Sequence, residues 1–167
     1  MEMNFLAILV AALVPMVLGF IWYNPKVLGN AWMRASGLSE EKMKSANMAL
    51  IFGLSFILSF LLAFFSQVLV IHQFHVSAAF FDYREQLKDI NTTEGALFKQ
   101  VIDLIGTSHR TFKHGAFHGI LSGLFIITPI LATNALFERK GFKYIAINAG
   151  YWIICLAIMG GIVSGWM

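Results

Sequence analysis

The side chains of this sequence best suited to chemistry are five histidines in two groups: His72 and His75, then His109, His114 and His118. His114 and His118 stand four residues apart, so in a helix both imidazoles leave the same face. Neutral imidazole ligates zinc and other borderline metals, and it titrates close to physiological pH. A metal or proton site at His114, His118, His72 and His75 is therefore the sharp reading. The plainer reading has interfacial histidines hydrogen-bonded to backbone, neighbouring helices or lipid head groups. The plainer one is favoured, because no cysteine is nearby, no H-E-x-x-H occurs, and Asp82 or Glu85 would be arbitrary choices as further ligands. The expectation is no resident cofactor, with zinc or another divalent metal at the histidines as the alternative.

Other chemistry lacks its residues. There is no G-x-S-x-G, no P-loop, no thiol pair, and no carboxylate pair beside a nucleophile. Ser108-His109 reads as a chance dipeptide. No catalytic residue is assigned, and the chain is expected not to be an enzyme. The twelve Lys and Arg form no dense cluster, so no nucleic-acid partner is expected. Cys155 is the single cysteine, which excludes an intrachain disulfide.

The elements that must position the histidines follow from composition. Of 167 residues, 58% are hydrophobic and 13% charged, with mean hydropathy +0.73. Soluble domains average about 45–50% apolar and about 25% charged residues. A soluble core and a disordered chain are both excluded. Charge-free intervals at 3–25, 45–81, 114–137 and 144–167 each hold about 20 apolar residues, enough for one crossing. Helices are placed at 4–23, 49–71, 115–136 and 144–166. The fold class is an all-α membrane protein, a single domain over 1–167, with a short helical lid at 73–113 between the second and third spans.

Local signals refine this layout. The lead-in Met1-Glu2-Met3-Asn4 carries no Lys or Arg and no A-x-A-like site follows, so the first span is read as retained and not as a cleaved leader. Trp22, Tyr23 and Trp32 suit interfacial anchors, and Asn24-Pro25 ends the first helix. Ser39 with Glu40 and Glu41 marks a helix start. A continuous helix from 40 to 71 would be roughly 48 Å long and would overrun the bilayer. In the lid, Asn91 and Glu94 form a capping box for a helix at 93–106, and a second helix covers 78–89. Pro129 removes the bond to the Phe125 carbonyl, so a kink is expected in span three. The sequon at Asn91 is read as incidental.

Small residues form seams. Gly115, Gly119 and Gly123 repeat every four residues in span three, matched by Ala157, Gly161 and Gly165 in span four and by Ser55, Ser59 and Ala63 in span two. Such faces allow close backbone approach, within one chain or between chains. No Asp, Glu, Lys or Arg lies inside the spans, which argues against ion-coupled transport. Asn134 and Asn148 flank the hairpin between spans three and four and could pair across it.

Lys26, Arg34, Lys42, Lys44, Arg139, Lys140 and Lys143 lie on one side of the membrane. Arg84, Lys88, Lys99, Arg110 and Lys113 lie on the other. The bias places both termini and the lid outside. Particular residues also look familiar. Gly19-Phe20-Ile21-Trp22-Tyr23-Asn24-Pro25 followed by Gly29-Asn30-Ala31-Trp32-Met33, the His114-Gly115-x-x-His118-Gly119 start of span three, and Asn148-Ala149-Gly150-Tyr151-Trp152 leading to Met159-Gly160-Gly161 together resemble a bacterial family known as domain of unknown function 1761. The resemblance covers the chain apart from the 73–113 lid. It implies four helices in a bacterial cytoplasmic (inner) membrane and supplies no activity. In that family's pattern an Asp and a His stand where this chain has Asn148 and Trp152, so chemistry resting on those groups does not carry over. The expected function is a structural or accessory subunit, surrounded by lipid and packing through its small-residue faces into a homo-oligomer or larger membrane complex. The alternative is a small-molecule or ion conduit with a His-regulated outer face.

Overall fold

The structure is a computed structural model describing residues 3–167, with the backbone alone at Glu40. The Met1-Glu2 part of the lead-in, and the Glu40 side chain expected at a helix start, lie outside the described residues. Four helices are long and apolar enough to cross a membrane: Phe5–Trp22, Met48–Val70, Phe112–Phe137 and Phe142–Gly165.

Helix α1 (Phe5–Trp22) starts where the Asn4 side chain accepts the Ala7 amide, 3.0 Å away. It ends where Pro25 forces the preceding Asn24 into extended backbone. One widened turn, Pro25–Gly29, leads into α2 (Asn30–Ser36), closed by Gly37 at φ 72°, a left-handed conformation that glycine adopts without penalty. The second span lies where it is placed from the sequence, and the helix start at Ser39 belongs to a separate short helix, so no continuous helix runs from 40 to 71. Helix α3 (Glu40–Lys44) is capped by Ser39. Helix α4 (Met48–Val70) then starts afresh at Asn47, whose side chain accepts the Leu50 amide. An Asn that satisfies a free helical N–H resets the chain direction. The span is thereby trimmed to roughly 34 Å, close to bilayer thickness.

Between spans two and three, Ile71 is extended and α5 (His72–Ala79) follows at once. The helix expected at 78–89 does not form. Single turns at Phe81–Tyr83 and Gln86–Lys88 replace it, and the Thr92 hydroxyl draws the Gln86 and Asp89 carbonyls together. Helix α6 (Thr93–Ile105) lies where the spacing predicts, but its cap is Thr92, which accepts the Gly95 amide. Asn91 is occupied with the Asp89 carboxylate and is not the cap.

Span three comprises α7 (Phe112–Ser122), a widened turn at Gly123–Ile127, and α8 (Thr128–Phe137). The chain answers Pro129 with that turn. The Thr128 amide reaches back five residues to the Gly123 carbonyl, and the Thr128 hydroxyl donates to the same oxygen at 2.7 Å. A widened turn is one of the ordinary ways a helix absorbs a proline.

Helix α9 (Phe142–Gly165) is the central post and packs against α1, α4 and α7. Its inward residues Tyr151, Cys155, Met159 and Val163 join Ile8, Ala11, Ala12, Ala63, Val70 and Ile71 in one apolar core. Val17, Phe20, Leu58, Leu61, Phe125 and Leu136 remain exposed along the spans, the pattern of a lipid-facing surface. The glycine seam closes within this single chain. A Cβ on Gly115 would strike the Gly160 carbonyl, one on Gly119 the Leu156 carbonyl, and one on Gly123 the backbone of Ile153. The matching face of α9 is thus Ile153, Leu156 and Gly160. Gly161 and Gly165 make room for Phe112 instead.

The ends of the bundle differ. At one, Lys140 of the α8–α9 hairpin donates to the Ser36 carbonyl at the end of α2. At the other, Asn4 donates to the Trp166 carbonyl, which joins the start of α1 to the end of α9.

Candidate metal centre

Two local features bring the histidines together. The first is the bend at Ile71. This residue is 2% exposed, and its buried side chain pins the turn from α4 into α5. The first residue after the bend, His72, therefore comes to the end of span three. The second is the His-Gly repeat opening α7, where Thr111 caps the helix by accepting the His114 amide. Gly115 and Gly119 face α9 at backbone distance, and the neighbouring face presents His114 and His118 to His72. The glycines set the helix register and the histidines use it.

The ring centroid of His72 lies 4.9 Å from that of His114 and 5.2 Å from that of His118, while His114 and His118 are 4.6 Å apart. One ring nitrogen from each of the three falls within 4.8 Å of the others. The Nε2 atoms of His72 and His114, from segments 42 residues apart, approach to 2.8 Å and share a hydrogen bond in which one ring donates and the other accepts; a metal between them would take the place of that proton. Tetrahedral zinc at 2.0–2.1 Å would set its nitrogens about 3.3 Å apart. The trio brackets that spacing, with one pair of nitrogens closer than it and all of them within 4.8 Å. Among the described residues this is the one group of metal-competent side chains so placed, and no carboxylate belongs to it. Glu85 pairs with Lys88 at 2.6 Å instead.

The local electrostatics favour a neutral ring at His72. Burial holds the His72 imidazole below its ordinary 6.5, and the nearby His114, His118, His109 and His75 push it the same way. A neutral His72 ring keeps one nitrogen lone pair for a metal.

The structure separates the remaining histidines. His75 is exposed, and its Nε2 lies 2.6 Å from the Val68 carbonyl, so the plainer reading describes it. His109, grouped with His114 and His118 in the sequence but left out of the expected site, stands with its ring 4.7 Å from His114 and 5.3 Å from His72. No spacing pattern marks it; it joins the group only through the turn between α6 and α7.

The expected anchors Trp22, Tyr23 and Trp32 lie at the opposite end and join helices. Trp22 Nε1 donates to the Ile147 carbonyl at 3.1 Å, and the Tyr23 hydroxyl donates to Asn148 Oδ1 at 3.0 Å. Trp32 packs edge-on against Tyr23. Asn148 also donates to the Tyr144 carbonyl. Its amide is therefore engaged with α1 and its own helix and not with Asn134, which is exposed at the hairpin.

Comparison with curated proteins gives no match, and neither does comparison with solved structures. The two motifs that build this architecture, the Trp22-Tyr23-Asn24-Pro25 joint and the His114-Gly115-x-x-His118-Gly119 start of span three, both fall within a family match over residues 6–164: the chain belongs to the family described as "Protein of unknown function (DUF1761)".

Proposed function

We propose that this protein is a membrane-embedded binder of a borderline transition-metal ion, zinc above all. His72, His114 and His118 are the ligands, and the four-helix bundle is their frame. The observation that carries the reading is the convergence of three imidazole nitrogens within 4.8 Å from two separate segments. Imidazole without carboxylate suits zinc or copper, whereas magnesium and calcium need oxygen ligands. The Lys and Arg bias toward the opposite end supports an outward-facing centre in a bacterial inner membrane.

The packing favours binding over conduction. Beneath the histidines the interior is filled by Val70, Ile71, Met159 and Val163, each 2% exposed or less. The two cavities at this end are lined by residues such as Phe112, Gly161 and Trp166, and Gln73, Phe98 and Arg110; neither is lined by Asn134 or Asn148. The glycines of α7 meet α9 within the chain, so that seam serves the bundle itself.

The test is zinc titration of chelator-treated protein in nanodiscs against a competing chromophoric chelator. One zinc per chain is expected, with affinity lost in His114→Ala and His118→Ala while both variants keep their helical content. Equal affinity in those variants would remove the reading.

A further inference from the structure

We infer that His109 is the fourth ligand of this centre, so that metal binding fastens the turn between α6 and α7 to the end of the bundle. The inference rests on the reading of His72, His114 and His118 as ligands and adds a residue and a consequence to it.

His109 has φ 66°, one of two non-glycine residues in the left-handed region among the described residues. Such a conformation persists where the surroundings hold it, and its occurrence beside a cluster of like side chains is grounds for a functional hypothesis. The last turn of α9 and the start of α7 do the holding. The His109 carbonyl accepts the Ser164 hydroxyl at 3.3 Å and the Thr111 amide at 2.9 Å. The next residue, Arg110, donates from Nε to the Ser164 carbonyl at 2.8 Å. These bonds fix the backbone and leave the exposed ring free to turn about its own side-chain bonds. No hydrogen bond to a His109 ring nitrogen occurs among the described residues, whereas His75, the other flanking histidine, is committed to the Val68 carbonyl.

Zinc closes its shell with four donors. His72 comes from a pinned bend, and His114 and His118 from a helix locked against α9. His109 supplies the missing donor from a loop, and its ring is nearer to His114 than the His72 ring is. The loop also receives α5, because Gln73 Nε2 donates to the Gly106 carbonyl at 2.8 Å. Ligation by His109 therefore ties α5, the end of α6 and the start of α7 to one ion.

Cobalt(II) titration of the full chain in nanodiscs, read by its visible ligand-field bands, tests this. Wild type is expected to give the intense bands of a tetrahedral centre. His109→Asn keeps a residue that tolerates the left-handed backbone. It is expected to give weaker, shifted bands as water takes the fourth position. Since even loss of an outer-shell partner costs about tenfold in metal affinity, loss of a ligand is expected to cost at least that. His75→Ala is expected to match wild type. Hydrogen exchange supplies a second readout: zinc is expected to protect Gly106–Thr111 in wild type and not in His109→Asn. If His109→Asn keeps wild-type bands, affinity and zinc protection while His114→Ala loses binding, His109 is no ligand and the three-histidine reading stands. If wild type binds no cobalt at all, both fall.

Discussion

At the residue scale, the His-Gly repeat of α7 does two jobs one residue apart. The glycine half is unforgiving: a methyl on Gly119 meets the Leu156 carbonyl and the Ala157 amide nitrogen, backbone atoms that cannot swing aside. Gly119→Ala is expected to cost about 1–3 kcal/mol as overpacking, read by unfolding in mixed micelles. Gly53→Ala meets nothing within 4 Å and is expected to be neutral or stabilising, since alanine is the better helix former. The histidine half sets a pH dependence. His72 titrates below its ordinary 6.5 when folded, first through burial and then through its neighbours. In the window between the folded value and 6.5 the unfolded chain binds more protons, so stability falls as pH drops through it. Metal-free protein is therefore expected to melt lower at pH 5.5 than at pH 7.5, and His72→Ala to show a smaller drop. Metal affinity is expected to fall over the same range, because protonated imidazole cannot ligate.

At the element scale, the aromatic joint between α1 and α9 carries interactions that hydropathy does not reveal. Tyr23→Phe removes a hydrogen bond to Asn148 and Trp22→Phe one to the Ile147 carbonyl. Each is expected to cost about 1 kcal/mol without changing zinc affinity, since the joint lies at the other end of the bundle. The four spans were legible because a charge-free run of about 20 residues has one stable arrangement in a bilayer. Shorter choices were not. Asn91 and Thr92 are both good caps, and the Asp89 carboxylate decided between them by engaging Asn91. Asn47 carries no spacing signal of its own, yet its side chain starts a new helix. At Pro129 the sequence showed that a hydrogen bond must be lost, but the widened turn that absorbs the loss depends on the Gly123 carbonyl finding Thr128.

At the scale of the whole molecule, one apolar bundle displays its charged and imidazole groups toward its two ends and keeps only uncharged polar groups, such as Ser59, Gln67 and the Tyr151 hydroxyl, between them. The four-span topology alone brings His72 and His75 to the same end as His109, His114 and His118, so the neighbourhood of the site was readable from the sequence. Its geometry was not. That depends on the buried Ile71 bend and on the α7–α9 register, both of which are products of packing between residues far apart in the chain. The same packing uses the glycine seams inside one chain. Gly161→Leu is accordingly expected to displace Phe112 at the start of α7, and so to weaken zinc binding together with stability, as read by titration and unfolding on the same sample. X-ray absorption at the zinc edge, on the full chain in nanodiscs after removal of loosely held metal, tests the central claim most directly. One zinc per chain with a first shell of imidazole nitrogens at about 2.0–2.1 Å is predicted; no retained zinc, or a shell of oxygen alone, would contradict it.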